Sequence, residues 1–85
     1  MVIEKQDTAD KLMKLIMEEF HVDRDQLQPQ VTFQDLNADS LDMVQLIMKV
    51  EDTFNISIHD DDIEGLQRLQ DFIDYVHMKR NEEAA

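Results

Sequence analysis

The residues with the clearest chemical potential lie in one short run, where a serine hydroxyl is flanked by carboxylates at a predicted helix start. Asp39 precedes Ser40, and Asp42 follows three residues after Asp39. Aspartate is a favoured N-cap, and a carboxylate three residues later can reach back to the backbone N–H of the cap. If Asp39 is the cap, the hydroxyl of Ser40 is left available for modification. From this pair of residues alone, the alternative is that Ser40 is itself the cap.

Catalysis by this chain is not indicated. Ser40 has only carboxylates beside it and no adjacent base, so another enzyme would have to activate its hydroxyl. The histidines at positions 21, 59 and 77 are far apart, and the chain has no cysteine, so neither metal-ligand spacing nor thiol chemistry is present. We therefore expect no enzyme activity and no metal site, with Ser40 as a substrate of other enzymes.

The elements that position Ser40 are predicted to be helices. The chain has a single proline and a single glycine, and its apolar residues recur at intervals of three and four. We predict an all-α fold, a small four-helix bundle of three longer helices and one short helix. The first helix is expected to run from an N-cap at Asp7 or Thr8 to about Phe20, and the second from Ser40 to about Phe54. The short third helix is expected from Asp60 or Asp61 to about Leu66, with Gly65 as a candidate cap, and the fourth from about Leu69 onward. The ends, at about residues 1–6 and 80–85, are expected to fray.

The connection between the first two helices is long, from His21 to Asp39. Irregular segments of this length are uncommon in compact domains unless they are functional. We therefore expect an ordered loop with a bend at Pro29, and we also expect Ile58 in the later loop to point inward. The apolar residues expected to hold the long loop are Val22, Leu27, Val31, Phe33 and Leu36.

The predicted second helix carries apolar residues on two sides. Helical geometry groups Met43, Leu46, Ile47, Val50 and Phe54 on one side and Leu41, Val44 and Met48 on the other. The helix also bears charged residues, so it cannot be enclosed in so small a domain, and the second stripe must face solvent. Exposed apolar patches on soluble proteins often mark interaction sites. The predicted docking residues are Asp39, Leu41, Asp42, Val44, Gln45, Met48, Glu51 and Asp52.

Length and charge restrict the classes of function. A chain of 85 residues is expected to form one domain, residues 1–85, with little room for a deep enzymatic cleft. A net charge of −12 argues against binding to nucleic acid or to an anionic membrane and favours basic protein partners. No apolar signal region and no run of about 18 apolar residues is present. We expect a cytoplasmic monomer that binds neither nucleic acid nor membranes, and the lack of cysteine is compatible with a reducing compartment.

The segment from Phe33 to Leu46 reads F-x-D-L-N-A-D-S-L-D-x-V-x-L. This motif closely resembles the bacterial acyl carrier proteins of fatty-acid synthesis, and the apolar positions match that family from about Leu12 to Val76. The serine of the family's D-S-L motif carries a 4′-phosphopantetheine arm in phosphodiester linkage. The resemblance therefore implies that Ser40, flanked by Asp39, Leu41 and Asp42, is the attachment residue.

The resemblance also implies a function and partners. A phosphopantetheinyl transferase would install the arm, and the protein would hold growing acyl chains as thioesters and present them to fatty-acid synthesis enzymes with basic docking patches. Part of the acyl chain would lie in an apolar pocket of the protein. The residues implied for that pocket are Phe33, Met43, Leu46, Ile47, Val50, Ile58, Ile63, Leu66, Leu69 and Phe72.

Two alternatives remain open at this stage. The first is a carrier for another cargo, such as a polyketide, an amino acid or a specialised lipid, because all such carriers use a serine-linked arm. The second is a structural or regulatory subunit that binds partners through the same acidic helix and is never loaded. The chain departs from the commonest family pattern at Asn37, Gln45, Lys49 and His59, which bears on partner choice rather than on the attachment residue.

Overall fold

The predicted helical architecture is confirmed in the computed structural model, which describes residues 3–84. The helices are α1 (Lys5–Phe20), α2 (Ser40–Phe54), α3 (Asp60–Ile63) and α4 (Leu69–Ala84), and a short 3₁₀ turn (Arg24–Gln26) lies in the long loop. Among the described residues, the only β-type pairing is an isolated bridge between Thr32 and Arg68. The chain is therefore an all-α bundle with one long ordered connection.

The core lies between α1, α2 and α4. Leu12 and Ile16 of α1 and Leu46 and Val50 of α2 are completely buried. Burial of such side chains contributes about 1.5–3 kcal/mol each, so this contact sets how α2 is rotated. The other buried apolar residues are Leu27, Phe33, Ile47, Ile56, Ile58, Leu69, Phe72, Ile73 and Val76.

The long loop is held by the contacts that the sequence predicts. Leu27 and Phe33 are buried, while Val22, Val31 and Leu36 are partly buried against the core. The ring of Phe33 packs edge-to-face between those of Phe20 and Phe72, with centroid distances of 6.3 and 5.4 Å. Backbone hydrogen bonds add to this, since Leu69 N–H donates to Val31 O at 2.8 Å and Phe33 N–H donates to Gln67 O at 3.1 Å. The segment leading to α2 is thus fixed to the beginning of α4.

The predicted start of α1 was wrong. The helix begins at Lys5, with Glu4 as an extended N-cap that makes no side-chain cap hydrogen bond. Thr8 is instead completely buried inside α1, and its hydroxyl lies 3.0 Å from His77 Nδ1 and 2.8 Å from Arg80 Nη1. Thr8 therefore links two helices, a role that depends on a residue 72 positions later.

Within the described residues, helices extend into both ends at which fraying is expected, and the fraying itself stays a prediction. Lys5 and Gln6 are helical, and α4 continues through Arg80 to Ala84. Arg80 donates to Asp7 Oδ2 at 3.0 Å, and its guanidinium lies 4.8 Å from the centroid of the Phe54 ring. This side chain joins α1, α2 and α4, which explains why the polar end of α4 stays helical. Residues 1, 2 and 85 lie outside the described part of the chain.

The third helix is shorter than predicted. It ends at Ile63 rather than near Leu66, and Gly65 does not adopt the left-handed conformation of a glycine cap. The left-handed C-caps are His21 after α1 and Asn55 after α2. Asparagine is a known alternative to glycine at this position, so Asn55 was a recognisable stop signal.

We expect the Asp7–Arg80 contact to give this protein an acid-sensitive component of stability. Hydrogen bonding to Arg80, followed by that to Lys11, lowers the pKa of Asp7 below its ordinary value of 3.8. A depressed folded-state pKa stabilises the fold above the unfolded-state pKa, and this stabilisation is lost as pH falls through the folded-state pKa. Thermal melts should therefore show that Asp7→Asn lowers the midpoint at pH 7 more than at pH 3.

Glu18→Gln is the matched control, because Glu18 is an exposed carboxylate on the same helix. Both variants remove one negative charge, so the comparison separates the specific ion pair from the general effect of net charge. Parallel pH profiles for the two variants would contradict the role of Asp7.

Candidate functional site

The candidate site begins with a reciprocal cap at the start of α2. The backbone N–H of Asp42 donates to Asp39 Oδ1 at 2.8 Å, and the backbone N–H of Asp39 donates to Asp42 Oδ2 at 3.1 Å. Asp39 is therefore the N-cap, and the alternative that Ser40 caps the helix is excluded. Ser40 is exposed, and within residues 3–84 its hydroxyl makes no hydrogen bond that meets normal geometry.

The turn before Asp39 is built to present this helix start. Leu36 N–H and Ala38 N–H both donate to Phe33 O, at 3.2 and 3.0 Å, while Phe33 itself is anchored in the core. Asn37 adopts a left-handed φ of 60°. Only glycine and, at some cost, asparagine or aspartate visit this region readily. Asn37 therefore suits the left-handed position that this turn requires.

The outward stripe of α2 is exposed as predicted. Leu41, Val44 and Met48 retain 64%, 54% and 59% of their accessible surface. Their neighbours on the helix, Leu46 and Val50, are completely buried. The helix therefore has one face in the core and a second apolar face in solvent, adjoining Ser40.

The charged groups around this stripe are not all free to meet a partner. The carboxylate of Glu51 accepts the backbone N–H of Ile58 at 3.0 Å and so holds the loop that leads to α3. Lys49 pairs with Glu19 of α1, whose side chain is only 8% exposed. Neither contact follows from helical spacing, because each joins residues brought together by packing. Among the predicted acidic docking residues, Glu51 therefore already binds the backbone within the protein. Asp39 and Asp42 are the ones that lie next to Ser40 in the sequence.

An open cleft of about 400 Å³ lies directly beside Ser40. Its lining includes Met43, Val44 and Ile47 from α2 and Ile63 from α3. A second cleft of about 280 Å³ lies between Phe33, Met43, Ile63 and Leu66. The lining is mostly apolar beside Ser40, which suits a nonpolar group attached there.

The predicted pocket residues divide into two groups. A narrow gap, lined by residues of both clefts and by Phe72, adjoins them. Six of the predicted residues border the two clefts or this gap: Phe33, Met43, Ile47, Ile63, Leu66 and Phe72. The other four, Leu46, Val50, Ile58 and Leu69, are buried in the core and do not line them. Apolar spacing identifies which residues face inward, but it cannot distinguish packing residues from those that border a cleft.

The capping role of Asp39 makes a stability prediction. Asp39→Ala should lower the free energy of unfolding by about 0.5–2 kcal/mol, because α2 loses its side-chain cap. Ser40→Ala, one residue away, should change it little, since the Ser40 hydroxyl forms no hydrogen bond with residues 3–84. Chemical denaturation of both variants measures the difference. If Ser40→Ala were the more destabilising change, the cap would be wrongly identified.

Two further features of the described residues bear on the site. No group of three or more histidine, cysteine, aspartate or glutamate side chains in this part of the chain is arranged to hold a metal ion. Nor does any of the described helices combine the length and the apolar character needed to cross a membrane.

Comparison with known proteins gives consistent relationships. Residues 10–76 match the family described as the phosphopantetheine attachment site. An acyl carrier protein of Lactobacillus johnsonii is 40% identical over 78 residues, which cover 91% of this chain and 98% of the relative. An acyl carrier protein of Nitratidesulfovibrio vulgaris is 40% identical over 72 residues, which cover 84% of this chain and 95% of the relative. The crystal structure of an acyl carrier protein from Thermotoga maritima matches with a TM-score of 0.78 at 30% identity and covers 94% of each chain.

These relationships extend over almost the whole chain and include the turn, the capped helix start and the four helices. The family match spans the exposed serine at the start of α2. The chain therefore belongs to the bacterial acyl carrier protein family, whose prosthetic group is covalently attached 4′-phosphopantetheine.

Proposed function

We propose that this protein carries growing acyl chains as thioesters on a 4′-phosphopantetheine group attached to Ser40, and presents them to enzymes of fatty-acid synthesis. The observation that carries the proposal is the exposed Ser40 hydroxyl, which has no hydrogen-bond partner among residues 3–84 because Asp39 caps α2. The family relationship supports the prosthetic group and the carrier role. The assignment to Ser40 and to fatty-acid synthesis belongs to the proposal.

The residues around Ser40 fit such a group. The hydroxyl is accessible, and the adjoining cleft of about 400 Å³ offers apolar side chains to a long attached chain. The helix N-terminus favours a phosphate by about 0.3–1 kcal/mol, while the carboxylates of Asp39 and Asp42 oppose it by a comparable amount. The phosphate is therefore expected to stay solvated. When bound, the group supplies a terminal thiol that forms thioesters.

The chain's own residues perform binding and presentation rather than catalysis. The carboxylates of Asp39 and Asp42 beside Ser40 accept backbone N–H groups in the cap, so a phosphopantetheinyl transferase must activate the Ser40 hydroxyl. The protein is thus a substrate of its partner enzymes. We place it in the cytoplasm as a monomer, with partners that carry basic patches complementary to its net charge of −12.

Docking is proposed to use the exposed stripe of α2 together with the acidic groups around it. Leu41, Val44 and Met48 form the apolar centre, and Gln45 lies on the same exposed side. Asp39, Asp42 and Asp52 supply negative charge, which raises encounter rates with basic partners. Glu51 contributes charge to this surface while its carboxylate holds the loop before α3.

We expect Val44→Asp to lower kcat/KM for transfer of the arm by about tenfold, because it puts a charge in the centre of the apolar contact. Met48→Ala should also slow transfer, whereas Met78→Ala, at an exposed methionine on α4, should not. Kinetics with a purified phosphopantetheinyl transferase, alongside thermal melts, make the measurement. Equal effects at Met48 and Met78 would argue against the α2 surface.

The test of the proposed function is the intact mass of the protein after expression with a phosphopantetheinyl transferase. The proposal requires a mass gain of one phosphopantetheine, located on the peptide that contains Ser40. A protein that never gains this mass would instead be an unloaded, partner-binding subunit.

The identity of the cargo is tested on the protein that carries the phosphopantetheine arm. A malonyl transferase of fatty-acid synthesis should load it faster than a polyketide acyltransferase or an amino-acid-activating domain does. Faster loading by either of the latter would keep the carrier role and replace the proposed cargo.

A further inference from the structure

Three neighbouring spaces near Ser40 share two of their lining side chains. Met43 and Ile63 line the cleft beside Ser40, the cleft near Phe33, and the gap between them. The gap, which reaches Phe72 in the core, has no room for a water molecule. An attached chain that passes from the cleft beside Ser40 toward the core must therefore displace Met43 or Ile63.

Met43 and Ile63 form the two walls of the gap, and the helices that carry them differ in how firmly they are held. Met43 belongs to α2, a helix of 15 residues with buried residues along one face and a reciprocal N-cap. Ile63 belongs to α3, which has only 4 residues and whose N-cap residue, His59, makes no side-chain cap hydrogen bond. A helix this short has no stability of its own, so its position depends on tertiary contacts. The wall that can move is α3.

A side-chain hydrogen bond joins α3 to α4. The Tyr75 hydroxyl on α4 donates to Asp62 Oδ2 at 2.7 Å, a short distance typical of a charge-assisted bond. Asp62 is adjacent in sequence to Ile63, so this contact acts directly on the movable wall. A second side-chain tether, in which Glu51 accepts from the backbone N–H of Ile58, holds the loop before α3.

Tyr75 is suited to remain a donor. Burial and the nearby Asp62 carboxylate raise the pKa of Tyr75 to about 12. The hydroxyl is therefore protonated, and able to donate, throughout the physiological pH range.

We propose that the Tyr75–Asp62 hydrogen bond is a strap that holds α3 against α2, and that Tyr75 and Asp62 are positioning residues controlling the entry of an apolar acyl chain between Met43 and Ile63. With the strap closed, the gap is shut and a short acyl group stays outside. A longer aliphatic chain enters when Ile63 moves outward and the strap breaks. This inference rests on the proposed function, because it concerns the chain carried at Ser40.

The first test uses the protein without any attached group. Tyr75→Phe removes the hydroxyl and keeps the ring. Hydrogen exchange at the amides of Asp62, Gly65 and Leu66, whose N–H groups bond to carbonyls within 59–63, should accelerate about tenfold, the effect of losing one hydrogen bond. Amides in the middle of α2 should keep their wild-type rates. Unchanged exchange around α3 would overturn the proposal.

The second test compares acetyl and octanoyl thioesters on the loaded protein. Cleavage by hydroxylamine measures how far each thioester is sheltered, and the acetyl-to-octanoyl rate ratio reports entry of the longer chain. Tyr75→Phe and Asp62→Asn should each raise this ratio severalfold, because entry no longer requires a strong strap to break. Asp61→Asn, which makes the same charge change at an exposed neighbour, should leave it unchanged.

The outcomes separate the strap from the proposed function. If α3 exchanges faster in Tyr75→Phe but the rate ratio stays at its wild-type value, the strap only holds α3 and the proposed control of chain entry is wrong. A lower ratio would likewise overturn it, since it would mean that the strap is needed for shelter. If the wild-type protein gains no phosphopantetheine, the proposed function fails first, and control of acyl entry fails with it, whatever the exchange result.

Discussion

Ser40→Ala should abolish the gain of phosphopantetheine completely while leaving the helical fold intact. The hydroxyl oxygen of Ser40 is the atom that would form the phosphodiester, and within residues 3–84 no hydrogen bond depends on it. Alanine is also the best helix former, so the beginning of α2 should not be weakened. Intact mass spectrometry after exposure to a phosphopantetheinyl transferase measures the effect, and circular dichroism checks the fold.

Ser57→Ala is the matched control for this experiment. Ser57 is the other serine of the chain, and it is exposed in the loop between α2 and α3. This variant should gain the same mass as the wild-type protein. An arm that still attached to Ser40→Ala would show that the attachment residue lies elsewhere.

Leu46→Ala should have the largest effect on stability, lowering the free energy of unfolding by about 2–5 kcal/mol. Leu46 is completely buried where α2 meets α1, so truncation leaves a cavity in the core. Small domains have only about 5–15 kcal/mol of total stability, and a loss of this size is a large share of it. Denaturant unfolding monitored by circular dichroism gives the value.

Met48→Ala provides the comparison on the same helix. Met48 is 59% exposed, so its truncation should change the free energy of unfolding by less than about 0.5 kcal/mol. If Met48→Ala destabilised the protein as much as Leu46→Ala, α2 would be rotated differently from the structure described above.

Features that depend on nearby residues were predictable from the sequence. The reciprocal contact of Asp39 and Asp42 joins residues three positions apart, and helical geometry alone brings them together. The division of α2 into a buried and an exposed stripe follows from the period of 3.6 residues per turn, and both the exposed Val44 and the buried Leu46 agree with it. The free hydroxyl of Ser40 is a direct consequence of these local effects.

Features that depend on distant residues were not predictable in this way. Arg80 meets Thr8 across 72 positions, and Tyr75 meets Asp62 across 13. The first contact lies where α1 and α4 extend beyond their predicted bounds, and it satisfies polar groups that would otherwise favour solvent. Composition and spacing carry no information on which polar side chains will meet once the helices pack.

The sequence alone therefore determined the capped helix start at Ser40, the helical architecture and the exposed face of α2, because these rest on local hydrogen bonding and on helical periodicity. Tertiary structure alone decided which inward residues border the clefts, that Glu51 holds the loop before α3, and that α3 is tied to α4. The reason is geometric: a cleft and its walls are set by the relative placement of whole helices, which a sequence pattern read along one helix does not contain.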